Sequence, residues 1–109
     1  MADPRSDRLI GPVLLADTPT LVMGPVPAGQ RWLLKSVRGV ETLGDSLWVD
    51  VTLGPFDRSR ALFWHTAVGG LGILSDTTWE AFHEGDELWA RAQAADAVVL
   101  WGSGARLGQ

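Results

Sequence analysis

Apolar and polar side chains alternate with period two along much of the chain. The alternation is cleanest at Ser46–Leu53, where Leu47, Val49, Val51 and Leu53 fall on one side of an extended backbone and Trp48, Asp50 and Thr52 on the other. Alternation and β-branched content predict further strands at Ile10–Ala16, Thr20–Met23, Gln30–Glu41, Ala61–Thr66, Thr77–His83, Asp86–Gln93 and Ala97–Ser103. Glycine and proline separate them. Gly11-Pro12 marks an edge or a bend, Gly54-Pro55-Phe56-Asp57 a turn, Val68–Leu74 a glycine-rich loop and Glu84-Gly85 another turn. Asp86–Ala97 also has the composition of a helix capped by Asp86. The alternation of Leu88, Ala90 and Ala92 against Trp89, Arg91 and Gln93 favours a strand. About eight short strands joined by tight turns predict an all-β chain, an antiparallel β-sandwich or jelly roll, with a small barrel as the variant.

The phase of the alternation assigns faces. The Leu47 side of its strand is the core, so Trp48 shares an outer face with Asp50 and Thr52. Trp89 likewise sides with Arg91 and Gln93. In Gln30–Glu41, Leu33 and Val37 oppose Trp32 and Leu34, so both faces of the first half are expected to be covered. The second half, from Ser36, reads as more solvated. Trp64, Trp79 and Trp101 have no clear phase and are candidates for the core. A tryptophan can bury up to roughly 250 Å², so leaving two of them in water forgoes several kcal/mol at ~25 cal/mol per Å². Trp48, Trp89, Asp50, Arg91, Gln93 and Trp32 are therefore the expected interface or ligand surface. Cover by loops or an arm of the same chain is the alternative.

Composition narrows the function classes. The 109 residues suffice for one core, expected as a single domain over 1–109 with 1–8 and 104–109 as flexible arms. Thirteen acidic residues against nine basic ones give a net charge of -4, which argues against binding to a nucleic-acid backbone. The absence of cysteine excludes disulfides and thiolate chemistry. No apolar run approaches the ~18 residues of a membrane span, and none of signal-peptide type follows Met1–Arg8, so no membrane partner is expected and the protein is expected to stay in the cytoplasm where it is made.

Catalytic and metal signals are sparse. His65 and His83 are the only histidines and lack any ligand spacing such as HxH or HExxH. A metal-dependent cupin would need several His and a Glu on neighbouring strands. No serine sits in a G-x-S-x-G elbow. Glu84, Asp86 and Glu87 flank the Gly85 turn and read as a solvated turn, with a calcium site as the sharper option. Gly69-Gly70-Leu71-Gly72 lacks the lysine of a phosphate loop. Arg31, Arg38, Arg58, Arg60 and Arg91 form no linear patch. No catalytic residue, metal or cofactor is expected.

Two segments rhyme. Pro27-Ala28-Gly29-Gln30-Arg31-Trp32 and His83-Glu84-Gly85-Asp86-Glu87-Leu88-Trp89 each place a glycine turn before a tryptophan-bearing strand, and both turns could lie at one end of a sandwich. Val26–Val37, Gly85-Asp86-Glu87-Leu88 and Val98-Val99-Leu100-Trp101-Gly102-Ser103-Gly104 together resemble a pattern in small structural proteins of tailed bacteriophages, in order and spacing, from about residue 19 to 104. That pattern often carries an Asn after the first long strand, where this chain has Glu41-Thr42. The resemblance implies a non-enzymatic virion component of the head, neck or tail, assembled in the host cytoplasm. Such a component forms a homo-oligomer and binds other virion proteins. A carbohydrate-binding module stacking sugars on exposed Trp is the second expectation, compatible with contact to host glycans. A small cupin-like enzyme is the third.

Overall fold

A computed structural model describes residues 7–42, 47–68 and 73–108, with the side chains of 73–79 left undescribed. Among the described residues are eight strands and a single 3-10 turn at Arg58–Arg60. The strands are β1 (Asp7–Leu14), β2 (Thr20–Met23), β3 (Gln30–Glu41), β4 (Leu47–Leu53), β5 (Ala61–Val68), β6 (Ile73–Phe82), β7 (Leu88–Ala92) and β8 (Val98–Gly108). The ambiguous segment after Asp86 is a strand, as its alternation indicates. The expected strands at Thr20–Met23 and Gln30–Glu41 match in both bounds.

The strands form two antiparallel four-stranded sheets, ordered β1-β8-β3-β6 and β2-β7-β4-β5. The pairing is nested: β4 with β5, β3 with β6, β2 with β7 and β1 with β8. The chain is thus one long hairpin, closed at β4–β5 and rolled so that successive pairs fall in alternate sheets. Pairing of β3 with β8 and of β4 with β7 completes each sheet. This is jelly-roll order. The two rhyming turns do meet at one end: Val26 N–H donates to the Asp86 carbonyl at 3.0 Å, and Gly85 N–H to the Val26 carbonyl at 2.9 Å.

The inner faces of both sheets meet in one core. Ile10, Leu34, Val37 and Leu100 from the first sheet pack against Val49, Val51 and Leu88 from the second, all fully buried. Bulges shift the phase that simple alternation predicts. At Lys35, β3 slips register against both neighbours. Leu34 and Val37 consequently share the core face, not Leu33 and Val37, and Trp32 packs against the rim of that core. Beyond the slip, Val37, Gly39 and Glu41 are buried and Arg38 is exposed, so the second half of β3 is half-buried and not generally solvated.

The expected arms also change. Residues 1–6 lie outside the described residues, while Asp7 and Arg8 open β1. Residues 104–108 are the end of β8, pairing with β3 from Gln30↔Gly108 to Leu34↔Gly104. At Gly104 and Gly108 the strands approach too closely for any side chain. A Cβ on Gly104 would strike the Leu33 carbonyl and lie 2.9 Å from Leu9 Cδ1. Gly104→Ala is therefore expected to cost roughly 2–3 kcal/mol in urea unfolding. Gly11→Ala, which meets nothing within 4 Å, should stay within about 0.5 kcal/mol of the parent.

Candidate functional site

The outer face of the second sheet carries most of the residues singled out by alternation. Register places Asp50 of β4 opposite Arg91 of β7, and Thr52 opposite Trp89. On its other side β4 meets a bulge in β5. Val49 pairs with Thr66 and Val51 with Phe63, so Asp50 alone faces two residues, Trp64 and His65. His65 takes a left-handed backbone, φ 49°, and both bulge side chains emerge on the outer face.

Asp50 is fully buried, which corrects its expected place on the surface. A carboxylate withdrawn from water must regain its hydrogen bonds from the protein. Oδ1 accepts the His65 backbone N–H at 2.5 Å and lies 2.7 Å from His65 Nδ1. Oδ2 accepts Arg91 Nε–H at 2.8 Å. With a neutral imidazole, Nδ1 carries the proton donated to Asp50 and Nε2 remains an acceptor.

Aromatic rings pack beside this pair and leave the His65 side chain 46% exposed. Trp48 stacks on His65 with centroids 3.9 Å apart and planes 10° from parallel, and Trp64 stacks at 5.0 Å. Phe56, from the β4–β5 loop, tilts against Trp64 at 5.9 Å. The Arg91 guanidinium carbon lies 5.5, 5.0 and 5.4 Å from the Trp48, Phe56 and Trp64 centroids, a cation–π cage. Gln93 accepts the Trp48 backbone N–H through Oε1 at 3.2 Å. Trp48 thus has cover from its own chain, and it is half-buried.

Trp89 stands beside this cluster. Its indole N–H donates to Glu87 Oε1 at 3.1 Å, which fixes the ring. Gly54 lets the ring lie close, since a Cβ there would fall 2.8 Å from Trp89 Nε1. Trp89, Phe56, Pro19, Pro55, Gly54 and Glu87 line an open cleft of about 540 Å³. Leu21, the direct partner of Trp89 on β2, is 38% exposed and extends the apolar surface.

Trp32 does not join this site. It sits at the rim of the core with Arg106 5.0 Å from its ring centroid, and its indole N–H donates to Gln30 Oε1 at 2.8 Å. Trp64 proves to be an outer-face residue, Trp101 is half-buried in β8, and the Trp79 side chain lies outside the described residues. The acidic turn is used locally: Asp86 Oδ2 accepts the His83 backbone N–H at 2.8 Å. Among the described residues no group of three or more His, Asp or Glu side chains is placed to hold a metal ion. Of the polar groups expected to assist sugar stacking at Trp48, Asp50, Arg91 Nε and Gln93 Oε1 bond one another and the backbone, which leaves the Arg91 terminal nitrogens and the Gln93 amide nitrogen. Alternation missed Phe56, Trp64, His65, Pro19 and Leu21. Three consecutive rings at Phe63-Trp64-His65 were the available signal, since one strand in regular phase cannot turn all three inward.

Compared with known proteins, the chain matches no family model, no curated protein and no solved structure.

Removing either member of the central ion pair strands the other. Asp50→Ala and Arg91→Met are each expected to cost about 2–4 kcal/mol. The double variant should cost clearly less than their sum in a denaturant-unfolding cycle, because it leaves no orphaned charge.

Proposed function

We propose that the chain is a non-catalytic assembly protein, a structural or accessory component of a tailed-phage virion. It self-associates and binds other virion proteins through the outer face of its second sheet. The observation that carries this is the contrast within that face. Around Asp50 the charged and aromatic groups bond and stack on one another, whereas exposed Pro19, Pro55 and Leu21, with half-buried Trp89 and Phe56 beside them, present an apolar stretch along an open cleft. Cores of protein–protein interfaces are rich in aromatic side chains and poor in charge. Among the described residues lining this cleft the one ionisable group, Glu87, accepts the Trp89 indole N–H.

Support for the virion setting comes from the sequence pattern over residues 19 to 104. The jelly roll recurs in viral capsid, lectin and cupin domains alike, so architecture by itself selects none of them. A patch of this kind on every copy suits the repeated contacts of a symmetric assembly.

The mass of the purified chain, followed by sedimentation, should rise with concentration. Leu21→Glu and Trp89→Ala should hold it monomeric, while Trp101→Ala on the other sheet should not. A chain that stays monomeric at every concentration and fails to travel with phage particles contradicts the proposal.

A further inference from the structure

The outer face of the first sheet, on the opposite side of the sandwich, holds a second constellation. Register places Arg8 of β1 opposite Ser103 of β8, and Ser103 opposite Ser36 of β3. The next outward pair along the same strands is Trp101 opposite Arg38. The bulge after Arg8 buries both Leu9 and Ile10 and leaves Arg8 outward beside Ser103. Arg8, Ser36, Arg38, Trp101, Gly102 and Ser103 line a recess of about 240 Å³.

Charge and hydrogen bonding in the recess are incomplete. Arg8 and Arg38 are both exposed, and among the described residues the ion pairs belong to Asp50, with no carboxylate on either arginine. Two guanidinium groups without a carboxylate partner among the described residues form a local positive spot around one recess on a chain of net charge -4. The Ser36 and Ser103 hydroxyls lie 2.9 Å apart and share one hydrogen bond. That bond uses one hydroxyl proton, so the pair retains one donor and several lone pairs.

Each part matches one part of a ligand. Guanidinium groups present forked N–H donors that fit a carboxylate or sulfate. The serine pair can bond neutral hydroxyls. The half-buried Trp101 ring offers an apolar surface to the C–H groups of a sugar. An inorganic anion would have no use for the indole. A nucleic-acid strand would need a basic track continuing beyond the recess, which an acidic chain with scattered arginines does not provide. We propose that this recess binds an acidic saccharide. Its anionic group lies between Arg8 and Arg38, its hydroxyls meet Ser36 and Ser103, and its ring lies against Trp101. The site is independent of the association surface on the other sheet.

Calorimetric titration of the full chain tests this with five probes: a glucuronate-containing disaccharide, a sulfated disaccharide, a neutral disaccharide, inorganic sulfate and a short single-stranded DNA. At least one acidic disaccharide should bind, more weakly as salt is raised, and the comparison of the two tells carboxylate from sulfate. Arg38→Gln or Arg8→Gln should weaken it by roughly tenfold. Trp101→Ala should weaken disaccharide binding, and Trp89→Ala should leave it unchanged. Both arginines are exposed, and circular dichroism of each variant confirms that the fold is retained. The proposal is overturned if neither acidic disaccharide binds, or if the neutral disaccharide, inorganic sulfate or DNA binds as tightly. Unchanged affinity in both arginine variants overturns it too.

Discussion

A buried carboxylate in the middle of a sheet imposes conditions on everything around it, and Asp50 is such a group. It sits in the polar phase of β4, where side chains of a sandwich normally meet water, yet it is fully buried. Its charge is held by Arg91 from one neighbouring strand and its remaining bonds by His65 from the other. Regular pairing would set one residue of β5 opposite Asp50. The bulge supplies two, so that a backbone N–H, an imidazole and an indole all reach the same spot. The rings of Trp48, Trp64 and Phe56 pack around Arg91 and His65 and leave Asp50 itself without exposure, which raises the cost of breaking the pair.

This arrangement organises the outer face of the second sheet into two zones. One is closed, with aromatic surface consumed by stacking and by the Arg91 cage. The other, around half-buried Trp89 and exposed Leu21, is oriented by the Glu87 hydrogen bond and the close approach at Gly54 and borders an open apolar cleft. The distinction matters because aromatic content alone does not make an interface. What counts is apolar surface that its own chain leaves in water. The first sheet differs in kind, with arginines, serines and a tryptophan around a polar recess.

Much of the architecture was legible in the chain because a sandwich strand writes its two faces into alternating positions. Leu47, Val49 and Val51 are inward and Trp48 and Trp89 outward, as period two requires. Bulges were not legible, since a bulge is a property of a strand pair. At Lys35 the slip moved Val37 to the face of Leu34, and at Trp64-His65 it placed two rings on one side. Alternation puts Asp50 on its observed face but not in its buried environment, because alternation reports direction and not what lies above. The small residues at the end of β8 read as an arm for a similar reason. Gly104 is small to admit the β3 backbone, a constraint that only the pairing reveals.

If the cleft around Trp89 joins copies of this chain, as proposed, the Asp50 cluster and the opposite sheet keep their surroundings on association. Labelling the protein with 5-fluorotryptophan gives each indole its own resonance, and fluorine spectra across a concentration series report which rings change surroundings. The Trp89 signal is expected to shift as association proceeds, while Trp48 and Trp101 hold their positions. A Trp89 signal that stays fixed while Trp101 moves, or a set of signals insensitive to concentration, would contradict it.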